Sequence, residues 1–153
     1  MLFRSGRSLR LARRILANAA DAADVVQESY IRAYIAWRND ELRGGDDAHA
    51  AWLKRVVTRR SLDLLRARRR LREESDEGIE QLVGDGPHDG HGDLEAALLA
   101  LPVAQRTAFV LRELEGFSLR ETAEQLGCTV GAVEQRVIRA WANLRRRLHD
   151  EER

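Results

Sequence analysis

Three groups of side chains in this sequence have the types and spacing to do chemistry, and each suits binding rather than bond-making. Arg55, Arg59 and Arg66 fall on one side of a helical pattern, with Arg69 or Arg70 continuing the row. Guanidinium groups so arranged neutralise phosphates and give an affinity that falls with salt. Gln135 and Arg139 stand four residues apart on a later helical pattern, away from the stripe Val133, Val137 and Trp141. Their amide and fork geometries pair bidentately with adenine and guanine edges, while Arg136, Arg145, Arg146 and Arg147 lie close by to meet phosphates. Asp24, Gln27 and Glu28 share the side of a third pattern opposite Val26 and Tyr30. On spacing alone that side is an ordinary solvated face.

Catalytic chemistry finds no support. Ser5, Ser8 and Ser61 have no His or Asp partners at a suggestive spacing, and no glycine-rich phosphate loop is present. Asp85, His88, Asp89, His91 and Asp93 cluster, yet their spacing fits no standard metal motif, so no metal and no cofactor is expected. A lone cysteine, Cys128, excludes an intramolecular disulfide framework. It falls in a turn where a small buried hydrophobe belongs, with no activating cation expected near it.

Charge is distributed unevenly along the 153 residues, although 26 basic and 25 acidic side chains nearly cancel. Residues 1–70 hold 16 basic against 8 acidic groups, residues 71–92 hold 1 against 7, and residues 93–153 hold 9 against 10. A basic block beside an acidic one points to a polyanionic partner and a solvated linker. The linker composition is explicit in Gly78, Gly84, Gly86, Pro87, Gly90 and Gly92. No apolar run approaches the ~18 residues of a membrane helix, and the opening MLFRSGRSLR lacks a signal-peptide hydrophobic region. A cytoplasmic protein without membrane insertion is expected.

The elements that must position these groups are helices. Two prolines and abundant Ala, Leu, Arg and Glu predict an all-α fold of two small helical domains, 1–70 and 93–153, on a flexible acidic linker, 71–92. The first domain reads as helices over 3–18, 21–37 and 48–69. Leu9, Ala12 and Leu16 turn inward on the first of these. Asp21 caps the second, whose inward stripe is Val26, Tyr30, Ala33, Tyr34 and Trp37. Trp52, Leu53, Val56, Val57, Leu64 and Leu65 face inward on the third. The second domain reads as 93–101, 102–115, 118–126 and 130–148, with Asp93, Ser118 and Thr129 as caps. Glu121 completes a capping box with Ser118, and Gly127 takes the left-handed C-cap. The stretch from Ser118 to Leu148 thus has helix-turn-helix anatomy, its inward stripe being Val133, Val137, Trp141, Leu144 and Leu148.

Longer segments carry a resemblance that spacing cannot supply. Leu101 to Leu148, around ELEGFSLRETAEQLGCTVGAVEQRV, resembles region 4 of the sigma-70 superfamily. DAADVVQESYIRAYIAW resembles region 2.2, and AWLKRVVTRRSLDLLRARRR resembles region 2.4. Three motifs in this order, at this length and with no region 3 between them, are similar to the extracytoplasmic-function group of sigma factors. The resemblance implies a non-catalytic, dissociable subunit that binds core RNA polymerase and promoter DNA and promotes transcription initiation, with an anti-sigma factor as a further partner.

Residue roles follow from the same resemblance. Asp24, Gln27 and Glu28 would dock on a coiled coil of the largest polymerase subunit. Arg55, Arg59 and Arg66 would bind the −10 element. The loop from Arg38 to Asp47, including Arg38 and Asn39, would capture an unstacked base, yet it contains no aromatic residue to stack on. Trp37 and Trp52 flank that loop and fit apolar stripes, so both are expected in the core. Thr129, Glu134, Gln135, Arg136, Ile138, Arg139 and Arg146 would meet the −35 element. Glu134 stands where the family often has a basic residue; it would accept from cytosine N4 or hold Arg139 or Arg136 in place. Thr58-Arg59 replaces the family's usual Arg-Asn, a change expected near DNA. Two other readings fit parts of the pattern: a stand-alone helix-turn-helix regulator, and a sigma mimic that binds an anti-sigma factor. The first would have no use for the Asp24, Gln27 and Glu28 face.

Overall fold

A computed structural model describes residues 5–75 and 92–151. The chain divides into two compact units, one within residues 1–80 and one within 81–153. Every regular element among the described residues is helical.

In the first unit α1 (Ser5–Leu16), α2 (Ala19–Arg38) and α3 (Asp46–Ser75) each pack on the other two. The α1 sequence alternates arginines with apolar residues so that Leu11, Ala12, Ile15 and Leu16 are buried, while Leu9 stays at the surface. The start of α2 is capped by Asn18, not by Asp21. Asn18 is extended (φ −143°, ψ 119°), and its side-chain oxygen accepts the Asp21 N–H at 3.0 Å. Asp21, three residues inside, instead pairs with Arg68 of α3.

The inward side of α2 also departs from expectation. It is made of Ala22, Val25, Val26, Ser29, Ala33 and Ala36, while Tyr34 and Trp37 are 54% and 53% exposed. Small residues let α1 and α3 approach closely, and that approach leaves no room for two large rings. On α3, Leu53, Val57, Leu62 and Leu65 are buried together with Thr58 and Ser61. Trp52, Val56 and Leu64 are half-buried. Helix α3 continues to Ser75 because LREES contains no helix breaker. The remainder of the expected linker, residues 76–91, lies outside the described residues, as do Asp85, His88, Asp89 and His91.

The second unit is built on α7 (Val130–Glu151). Its Ala140 and Leu144 pack with Ala97 and Leu98 of α4 (Gly92–Leu99), with Leu101, and with Phe109 of α5 (Val103–Phe109). One turn earlier, Val133 and Val137 pack with Ala108 and with Ala123 of α6 (Leu119–Leu126). The helix expected over 102–115 is not uniform. After Phe109 it widens into a π-helical turn, Val110–Leu114, and Gly116 closes it at φ +73°. Arg106, which no apolar period singles out, is wholly buried and donates to the carbonyls of Leu99 and Leu101. It thereby satisfies backbone acceptors at the end of α4. Trp141 does not enter the core fully. It is 40% exposed, stands edge-on to Phe109 at 5.0 Å and carries the Arg145 guanidinium over its ring.

Candidate nucleic-acid and partner interfaces

The helix-turn-helix geometry rests on local capping. Ser118 Oγ accepts the Glu121 N–H at 3.0 Å, and the Glu121 carboxylate lies 3.3 Å from the same hydroxyl. Gly127 ends α6 in the left-handed region at φ 64°, a conformation that costs a residue with a Cβ. Arg112 ties the approach to this hairpin by donating to the Phe117 carbonyl at 3.1 Å. Thr129 Oγ1 then accepts the Ala132 N–H at 3.1 Å and starts α7.

With Val133 and Val137 buried, the helical period turns Glu134, Gln135, Ile138 and Arg139 outward together, Ile138 being 60% exposed. This gives a stiff helix start bearing a carboxylate, an amide, an apolar tip and a guanidinium. Arg136 is placed differently. It is half-buried, and its guanidinium turns back onto Cys128 Sγ at 3.4 Å. The turn cysteine therefore does have a cation beside it, contrary to the expectation from sequence. Among the described residues no ion pair joins Glu134 to Arg136 or Arg139. Further along α7, Arg146 is exposed and donates to Asn143, which in turn donates to Gln105 of α5 at 2.7 Å. Arg147 reaches the Ala100 carbonyl.

In the first unit Arg55, Arg59 and Arg66 are all exposed on α3, and Arg66 lies 3.3 Å from Asp63. Thr58 is wholly buried, so the substitution that was expected near DNA faces the core instead. Asp24, Gln27 and Glu28 are exposed on one side of α2. Glu28 is engaged with Arg60 of α3 at 2.9 Å, a surface ion pair worth little by itself. Arg38 and Asn39 are exposed at the end of α2; the Asn39 backbone N–H bonds the Ile35 carbonyl and its amide reaches Glu41. Sequence reasoning missed the apolar strip that precedes them, formed by Ile31, Tyr34, Ile35 and Trp37. Its signal was the spacing of Ala22, Ser29, Ala33 and Ala36, which already completes an inward face.

The fold is that of a bipartite helical protein with exposed arginines on each of its two units. Residues 4–71 match the family described as "Sigma-70 region 2", and residues 91–144 match "Sigma-70, region 4". The chain belongs to the extracytoplasmic-function group of the sigma-70 family. It is 35% identical to the ECF RNA polymerase sigma factor SigE of Mycolicibacterium smegmatis over 91% of its own length, and it spans 56% of that relative. It is 31% identical to the ECF RNA polymerase sigma factor SigW of Bacillus subtilis, covering 92% of this chain and 82% of that one. Among solved structures it resembles the sigma factor RpoE of Bartonella quintana, crystallised with the anti-sigma factor NepR. That match has a TM-score of 0.67 at 26% identity and covers 95% of this chain and 91% of that one.

Proposed function

We propose that this chain binds core RNA polymerase, directs it to a promoter through −10 and −35 elements, and helps open the DNA. The observation that carries this reading is the presence of regions 2 and 4 in order, on two separately packed units, each with an exposed DNA-suited surface. In this assignment α3, with Arg55, Arg59 and Arg66, serves the −10 element, together with Arg38 and Asn39. The start of α7 serves the −35 element through Glu134, Gln135, Ile138 and Arg139. Thr129 preorganises that helix start, and the first-turn N–H groups favour a phosphate there. Arg136 holds the turn, and Arg146 lies where it can meet the DNA backbone. Asp24 and Gln27 form the polymerase-docking face, with Glu28 at its edge. The glycine- and carboxylate-rich stretch between the units joins the two functions.

The chain acts by binding, not by catalysis, and it works in the cytoplasm where the polymerase is. RpoE was crystallised with NepR, and the structure of CnrH, 30% identical to this chain, is of its complex with the cytosolic domain of CnrY. By analogy, an anti-sigma factor is the regulator we assign to this chain. The deciding experiment is run-off transcription with purified core polymerase on a selected promoter. Promoter-dependent transcripts are the expected result. Promoter binding without polymerase binding would instead make the chain a stand-alone helix-turn-helix regulator.

A further inference from the structure

The outer side of α7 carries two strips of different chemistry. Gln135, Arg139 and Arg146 recur along one, which amide and guanidinium groups suit to DNA. Roughly a third of a turn away run Glu134, Ile138, Trp141 and Arg145, at steps of four, three and four residues. Steps that average ~3.5 residues form the seam along which one helix lies against another. All four side chains are exposed, Ile138 at 60% and Trp141 at 40%. Trp141 stands edge-on to Phe109 at 5.0 Å, and the Arg145 guanidinium lies 5.9 Å from the centre of its ring. Both are thus held before any partner arrives, which lowers the entropy that binding must take from them. Among the described residues no cation pairs with Glu134.

The strip is its own complement. Glu134 and Arg145 are equidistant from the point between Arg139 and Ala140, and so are Ile138 and Trp141. A second α7 laid antiparallel about a two-fold axis through that point sets each Glu134 against the second copy's Arg145. The same axis sets each Ile138 against the second copy's Trp141. Parallel pairing would oppose Glu134 to Glu134 and Arg145 to Arg145, which like-charge repulsion disfavours. We propose that this strip is a self-association surface, on which two copies of the chain pair antiparallel through Ile138 and Trp141 and lock their register with Glu134 and Arg145. Three turns of helix bury less than the ~1,000 Å² of a stable interface, so the pairing is weak and depends on concentration. Glu134 and Ile138 also border the strip assigned to the −35 element, so a paired copy is withheld from that DNA. Only this exclusion rests on the function proposed above; the pairing does not.

Sedimentation equilibrium of the full chain over about 1–300 µM reads the pairing, a range that spans weak dissociation constants. The expected result is an average mass that climbs toward that of two chains. Glu134→Arg and Arg145→Glu each create two like-charge pairs across the axis, and each should weaken self-association about tenfold or more. Mixed in equal amounts the two variants should pair again, because every charged contact between them joins opposite signs. The double variant, with both charges exchanged, should self-associate as the unsubstituted chain does. A chain that stays monomeric throughout overturns the proposal, as does a mixture of the two variants that fails to pair. If the chain is monomeric and the same variants lose affinity for core polymerase, the strip belongs to the polymerase instead. Adding a duplex that carries the −35 element should return pairs to single chains. Pairs that persist with the duplex bound overturn the exclusion, whereas a duplex that no form of the chain binds counts against the −35 assignment and not against the pairing.

Discussion

Arg59 and Arg139 are both exposed arginines, yet their neighbours give them different work. Arg139 shares its helix face with Gln135 and Ile138 at the start of α7, the surface proposed to read base edges. Replacing it with Ala should cost about 1–3 kcal/mol on the cognate −35 element and relax preference at one base pair. A promoter-library selection reads both effects. Arg59 belongs to a row of guanidinium groups, so Arg59→Ala should weaken binding nearly uniformly across sequences. It should also reduce the slope of log affinity against log salt by about 1. Arg106 is the opposite case, a charge with no access to DNA. Burial lowers its pKa from the ordinary guanidinium value to about 10, so it remains protonated at neutral pH. The folded and unfolded states then hold the same proton from pH 6 to 9, and this residue adds no pH dependence to stability there. Above pH 10 the folded state releases the proton first, so its contribution to stability rises with pH. Truncation to Ala leaves a cavity and strips two carbonyls of their donor. It should destabilise the second unit by more than about 2 kcal/mol in urea denaturation.

Helix α2 has an inner face of small residues and two outer halves of different character. Asp24→Lys, in its polar half, should weaken core-polymerase binding several-fold in a titration while leaving the thermal midpoint in place, since exposed changes seldom exceed about 0.5 kcal/mol. Glu28 is a poorer probe, because its loss also frees Arg60. Ser118→Ala should cost about 1 kcal/mol by removing the α6 cap, and the −35 affinity should fall with the loosened hairpin. Helices α6 and α7 were legible in the sequence because apolar period, caps and glycine agree at Ser118, Gly127 and Thr129. The inner face of α2 was not. Periodicity gives the direction of a stripe to within a residue or so, and Val26, Tyr30, Ala33 and Trp37 fit it nearly as well as Val26, Ser29, Ala33 and Ala36. What decides between them is the close approach of α1 and α3, a tertiary fact. The π-helical turn after Phe109 and the Asn18 cap escaped for the same reason, since each is set by packing and backbone geometry. Of the candidate site, the exposure of Glu134, Gln135, Ile138 and Arg139 follows from the Val133 and Val137 period, while Thr58 and the Arg136–Cys128 contact needed side-chain positions.

At the scale of the whole chain, the proposed DNA contacts are spread over two units, each with its own core. Arg59→Ala and Arg139→Ala alter exposed side chains on different units. Their penalties on a promoter carrying both elements should therefore add to within about 0.5 kcal/mol in equilibrium binding. A larger discrepancy would mean that the two surfaces do not engage DNA independently. The division into two units also has a spectroscopic consequence. Trp37 and Trp52 lie in the first unit, and Trp141, against Phe109, is the indole of the second. Trp141→Phe leaves indole emission reporting on the first unit alone, and replacing Trp37 and Trp52 leaves it reporting on the second. The native complement of chromophores thus allows the unfolding of each half to be followed within the intact chain, without an attached dye.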